Sequence, residues 1–253
     1  MAVALAASGM RVAVLGRDEA AVAAVADKIG GQAIVADVLD RTRVIDGINE
    51  LVAVHGPVDI LVNNAGVAGT VGLAWEVDAD AWWHTLEVNI RGTHNVTSAV
   101  VPGMIQAGSG RIINIVSHAG TARWPYVSDY VVSKAGVIKY GENLAAEVRR
   151  HGIAVFNFHP GILEIGFTAT LFDSDPQPGT VEGMLADWFR KEIAAGHSAD
   201  AEQSAALVVR LAAGDADLLT GRYLTAYDDL DELIGRADQI VESKGYTLGL
   251  LQP

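Results

Sequence analysis

Residues 111–161 read RIINIVSHAGTARWPYVSDYVVSKAGVIKYGENLAAEVRRHGIAVFNFHPG, and this stretch decides the fold class. It opens on an apolar, β-branched run at 111–117 and closes on another at 153–159, with a helical pattern over 130–150 between them. Strand, helix and strand in that order make a βαβ unit, whose two strands lie parallel. Neither run alternates apolar with polar residues, as expected of strands covered on both faces.

Working outward, the same alternation continues in both directions. Strands are predicted at 11–15, 32–36, 58–63 and 222–225, and helices at 19–29, 41–55, 79–107, 182–195, 201–213 and 230–244. The chain therefore reads as α/β, one doubly wound parallel-sheet domain over 1–253. Pro102 is expected to bend or end the helix predicted at 79–107. Residues 163–180, rich in Gly, Pro, Asp, Ser and Thr, read as a loop, and 163–200 as a lid over a substrate.

Composition narrows the function. A formal net charge of −13 with no Lys/Arg cluster repels phosphate backbones and anionic lipid, which argues against nucleic acid and membrane surfaces as partners. The sequence contains no cysteine, so disulfides, Cys-ligated zinc and thiol nucleophiles fall away together. Its seven histidines lack metal-ligand spacing, and most are expected to be surface or satisfied polar residues, with His118 the one to watch. No run of about eighteen apolar residues occurs, and the apolar start is shorter than a secretory leader. A cytoplasmic protein is expected. Asn95-Val96-Thr97 matches a glycosylation triplet but lies in a helical pattern and carries little weight.

The chemistry concentrates in Ser117, Tyr130 and Lys134. Tyr and Lys four apart share one helix face, so an ammonium can sit beside the phenol. A phenol titrating near pH 10 is a poor base, but a neighbouring cation stabilises the phenolate and makes it a usable general acid/base. Ser117, at the carboxyl end of its strand, can hydrogen-bond a substrate oxygen there. Such a Tyr/Lys pair arises in many helices by accident, and its company changes the reading. Asn63-Asn64-Ala65-Gly66 follows a strand, Asn89 stands in Val88-Asn89-Ile90-Arg91-Gly92, and Pro160-Gly161 ends another strand.

In these motifs, their order and their spacing, the sequence resembles the short-chain dehydrogenase/reductase family from Met1 to about Thr225. The resemblance implies a Rossmann-type fold and an oxidoreductase that interconverts a secondary alcohol and a ketone with a nicotinamide cofactor. It implies that Tyr130 exchanges the proton with substrate, that Lys134 lowers its pKa and holds the nicotinamide ribose, that Ser117 orients the substrate, and that Asn89 anchors a water in the relay. On the cofactor side it assigns Asp37 and Val38 to the adenine, Asn63, Ala65 and Gly66 to the adenine ribose segment, and Pro160, Gly161 and Ile162 to the nicotinamide end. Arg17, after the strand at 11–15, can pair a ribose 2′-phosphate and favours NADP(H), while Asp18 keeps NAD(H) open. Family members pair as dimers or tetramers through helices corresponding to 79–107 and 130–150.

Two departures from the family pattern stand out. Ile165 occupies the position of a threonine that contacts the nicotinamide amide, with Thr168 three residues on. The first strand and its glycine-rich phosphate-binding turn are absent ahead of Met1; residues 1–8 read as the end of the first helix, with Gly9 closing it. That places a gap between the strands at 11–15 and 58–63, and suggests that Met1 is an internal methionine of a longer chain. The departures leave two other readings open: a catalytically silent ligand-binding or regulatory protein of the same fold, and a lyase or epimerase using the same tyrosine. Trp124, Tyr126, Phe167, Phe172, Trp188 and Phe189 are expected to build an apolar pocket or simply to pack.

Overall fold

The computed structural model describes residues 1–249. The last four positions of the domain read over 1–253 lie outside the described residues. Among the described residues six strands form: β1 (Ala13–Gly16), β2 (Gln32–Val35), β3 (Ile60–Asn63), β4 (Gly110–Ile115), β5 (Ile153–His159) and β6 (Tyr223–Thr225). Every pairing is parallel, in two sheets of order β1-β2 and β3-β4-β5-β6. Helices cover both faces. Against one lie α1 (Ala2–Ala7), α9 (Ala201–Ala213), α10 (Leu230–Gly235) and α11 (Ala237–Glu242), packed on Ile113, Phe156 and Phe158. Against the other lie α3 (Arg41–His55), α5 (Thr93–Ala107) and α6 (Ser128–Val148), packed on Ile112 and Val155. All seven residues of β5 are buried, which explains its continuous apolar run.

The close fit of α6 on the sheet depends on Gly141, where a Cβ would run into Asn157 and Asn114. Those asparagines are in register with Asn63, and the three side chains form a ladder: Asn63 Nδ2 donates to Asn114 Oδ1 at 2.9 Å, and Asn114 Nδ2 to Asn157 Oδ1 at 3.2 Å. Asn157 Nδ2 closes the ladder on the Ile138 carbonyl of α6 at 3.1 Å. Buried amides need such partners.

α1 ends before Gly9, whose φ of 90° suits only glycine comfortably. Among the described residues no strand pairs β1 on its side away from β2, or β3 on its side away from β4. A cavity of about 1060 Å³ lies between them, lined by Leu5, Val12, Val14, Ile60, Val62 and their neighbours. The gap expected between these strands is therefore present. It falls where strand order reverses direction, the place where open α/β sheets bind ligands beyond their carboxyl ends.

The helix predicted over 79–107 requires correction. α4 (Ala79–Leu86) passes into a π-helical segment, Glu87–Gly92, before α5 begins, and Pro102 sits inside α5 without ending it. The interruption comes from the π turn, not from the proline. π turns are rare and recur at functional sites because they re-aim side chains. The loop predicted at 163–180 also contains a helix, α7 (Phe167–Asp173), ahead of α8 (Val181–Ala194).

Candidate active site

α6 begins at Ser128, so Tyr130 and Lys134 stand on its first turns and face the end of β4. Lys134 is buried, and its Nζ donates to the Ile115 carbonyl at 2.9 Å and lies 5.7 Å from the centroid of the Tyr130 ring. Burial pushes the ammonium down to about 8. An ammonium has three donors, so a buried one held by a single carbonyl suits a ligand that brings hydroxyl acceptors. Burial raises the Tyr130 phenol above its ordinary value, and a hydrogen bond with Ser117 pulls it part of the way back. Ser117 follows β4 and caps the 3₁₀ turn His118–Gly120, accepting from the Ala119 amide at 3.2 Å.

The π turn aims Asn89 inward. Its Nδ2 donates to the Val67 carbonyl at 3.0 Å and to Ser133 Oγ at 2.9 Å, while its Oδ1 accepts from the Val67 amide at 2.8 Å. Ser133 Oγ donates in turn to the Tyr130 carbonyl at 2.8 Å. Asn89 thus links the strand-end segment 64–67 to the helix that carries Tyr130 and Lys134. Gly66 lies against both: a Cβ there would stand 3.0 Å from Asn89 Oδ1 and 3.7 Å from Lys134 Nζ. The structure brings together Asn89, Ser117, Tyr130 and Lys134, residues far apart in the chain.

Asp129, which sequence reasoning passed over, organises the same corner. It is fully buried, and its carboxylate accepts from the Thr70 amide at 2.7 Å, Thr70 Oγ1 at 3.0 Å, Thr85 Oγ1 at 2.9 Å and the Tyr130 amide at 2.8 Å. Its only sequence signal is a position beside Tyr130. Tyr227 is a second omission. Its hydroxyl accepts from the Ile162 amide and donates to the His197 carbonyl, both at 2.8 Å, tying the Pro160–Gly161–Ile162 turn to residues after α8. His159 is an exception to the expectation that most of the histidines are surface or satisfied residues. It is buried, its Nδ1 has no partner, and its ring lies 6.3 Å from that of His118. Burial, then His118 and Lys134, hold it down at about 4.

The cofactor-side residues are spread along the carboxyl ends of the other strands. Arg17 is exposed after β1. Asp18 accepts from the Ala21 amide at 2.9 Å through Oδ1 as the N-cap of α2 (Glu19–Ile29). Asp37 accepts from the Leu39 amide at 2.9 Å, the bond of a strand-end turn. The Val38 carbonyl accepts from Asn95 at 2.8 Å, and Asn95 is buried, which sets the glycosylation triplet aside. Asn63 is held in the ladder, whereas Ala65 and Gly66 are exposed at the crevice. Ile165 is 60% exposed and Thr168 is buried within α7.

Over Tyr130 stands an aromatic wall. Phe167 stacks on the Tyr130 ring at 6.0 Å and 24°, Phe189 meets Phe167 edge-on at 5.7 Å, and Trp124 meets Phe189 at 5.7 Å and Trp188 at 4.7 Å. Tyr126 stands apart from these contacts, in a turn with φ of 74°.

Known proteins match this chain along most of its length. The family described as short chain dehydrogenase matches residues 1–176. The 2-dehydro-3-deoxy-L-rhamnonate dehydrogenase (NAD(+)) of Sphingomonas sp. (strain SKA58) is 32% identical over 215 residues, 85% of this chain and 82% of its own. The 3-oxoacyl-[acyl-carrier-protein] reductase FabG of Escherichia coli (strain K12) is 32% identical over 222 residues, 87% of this chain and 86% of its own. A solved gluconate 5-dehydrogenase from Burkholderia cenocepacia J2315, in complex with NADP and tartrate, superposes with a TM-score of 0.76 at 28% identity, covering 88% of this chain and 86% of that one.

Proposed function

Because the chain belongs to the short chain dehydrogenase family and is an oxidoreductase of the CH–OH group, we propose that it interconverts a secondary alcohol and a ketone with NADP(H). The observation that carries this reading is the convergence of Tyr130, Lys134, Ser117 and Asn89 on one corner of the crevice. A bound nicotinamide would supply or accept the hydride. Lys134, with its single partner, would hold the adjoining ribose, next to Gly66 and the Pro160–Gly161–Ile162 turn. Ala65 and Gly66 lie open to the adenine ribose segment, and Arg17 to a 2′-phosphate; Asn63 and Asp37, whose side chains already make internal hydrogen bonds, would contribute main-chain contacts, and Val38 its N–H, since its carbonyl is taken by Asn95.

In the reducing direction the substrate oxygen accepts a hydrogen bond from Ser117 and the proton from Tyr130. A phenol raised by burial is protonated and ready to donate, and the Lys134 ammonium below it stabilises the phenolate that remains. Asn89 and Ser133 fix the helix turn that carries the phenol. Residues 163–200 close over the substrate as a lid, with the Tyr227 hydroxyl fastening its two ends at Ile162 and His197. Association through the exposed faces of α4, α5 and α6, which leave Trp83, Ile105 and Val132 exposed, and work in the cytoplasm belong to the same reading.

Tyr130→Phe tests it. The variant retains NADPH binding and loses roughly 10²–10⁴-fold in turnover, the usual worth of a positioned acid/base. Full turnover in Tyr130→Phe would refute the assignment.

A further inference from the structure

We propose that this site takes an uncharged aryl ketone or the matching benzylic secondary alcohol, and that the aryl ring occupies the place Phe167 now holds against Tyr130. This rests on the oxidoreductase reading above and goes beyond it to the substrate. The relatives matched act, by their names, on sugar acids or an acyl carrier protein. The walls of this site have a different chemistry.

Phe167 lies nearly parallel to the catalytic phenol, at 6.0 Å and 24°, which shows that the space in front of Tyr130 accepts a flat ring. Around it, Phe189 presents an edge to Phe167 at 5.7 Å, and Trp124 presents an edge to Phe189 at 5.7 Å. Aromatic rings favour these offset and edge-to-face arrangements over sandwiches. Leu171 and Ala186 are buried in the same cluster, and Ile162 packs against it. Arg123, Glu164, Asp173 and Asp187, charges close to these aromatic residues in sequence, are exposed, and Arg190 pairs with Asp187 while lying over the outer ring of Phe172. A carboxylate or polyol entering this cluster would lose its hydration without recovering hydrogen bonds.

Phe167 can leave. It starts α7 directly after Gly166, a residue at φ 58° with open space where a Cβ would be, so the backbone can pivot there. The chain thus supplies its own competitor for the ring site, and the apparent affinity for a ligand ring falls by the fraction of time Phe167 occupies it. In turnover the carbonyl carbon gains a hydride from the reduced nicotinamide and its oxygen gains the Tyr130 proton; oxidation runs the same transfers in reverse.

The test is quenching of intrinsic tryptophan fluorescence by acetophenone, with 2-octanone, of equal carbon count, and gluconate as comparison ligands, in the full chain without cofactor. Acetophenone should quench saturably, binding about tenfold more tightly than 2-octanone, the size expected of one good aromatic contact. Phe167→Ala should bind acetophenone more tightly than the parent, and Trp124→Leu about tenfold more weakly. With NADPH present the same preference should appear in kcat/KM. Absence of saturable quenching, preference for 2-octanone or gluconate, or weaker binding in Phe167→Ala would overturn the proposal. Saturable binding with the stated order but no turnover of any carbonyl would instead refute the oxidoreductase reading and leave the ring site standing.

Discussion

Replacing Lys134 with Met should abolish turnover and yet stabilise the fold. The buried ammonium titrates at about 8 in place of the ordinary 10.5, a depression caused by desolvation. At about 1.36 kcal/mol per pKa unit, keeping the proton on that nitrogen in the folded state costs about 3 kcal/mol at neutral pH. Methionine fills a similar volume without charge. It also leaves the Ile115 carbonyl without its partner, which returns roughly 1–3 kcal/mol. The net is about 1 kcal/mol in favour of the variant, or roughly 2–4 °C in Tm for a domain of this size. The pH dependence is the sharper signature. Between about 8 and 10.5 the unfolded chain binds this proton and the folded chain does not, so wild-type stability gains on the variant as pH rises through that window. Paired thermal melts from neutral pH upward measure the difference directly. A variant several kcal/mol less stable than wild type at neutral pH, with a difference that does not change with pH, would refute the desolvation reasoning.

Other perturbations follow from single contacts. Asp129→Ala strands the partly buried Thr70 and Tyr130 amides and the Thr85 hydroxyl and should destabilise the chain by about 3 kcal/mol in denaturant unfolding; an unchanged unfolding midpoint would count against its organising role. Tyr227→Phe removes a hydroxyl that both accepts from Ile162 and donates to His197; KM for the cofactor should rise several-fold while kcat stays within about twofold, and an unaltered KM would show the turn to be held otherwise. Arg17→Ala should weaken NADPH binding by roughly 10–100-fold and leave NADH nearly unaffected, in line with loss of a charge-assisted bond to phosphate.

The fold was legible in the sequence because buried parallel strands leave an unambiguous trace. Residues 153–159 are apolar without alternation since both faces of β5 are covered, and the predicted bounds coincide with the strand. Pro102 misled because its effect on a helix depends on what precedes it. The π segment Glu87–Gly92 supplies the irregularity instead and leaves no compositional mark. The Tyr130 and Lys134 pair was visible through helical periodicity, which is local. The asparagine ladder and Asp129 were not, since each depends on register or on partners such as Thr85 brought over from a distant helix. His159 escaped for the same reason: its isolation is a property of its neighbours in space.

Turnover by this chain requires that it hold a nicotinamide dinucleotide at the corner built by Tyr130, Lys134 and Gly66. Titration of the folded protein with NADPH and NADH, followed by nicotinamide fluorescence, decides whether it does. Saturable binding, tighter for NADPH, is the expected result. A folded protein that binds neither nucleotide at any concentration reached would contradict the dehydrogenase mechanism and put the silent ligand-binding reading in its place.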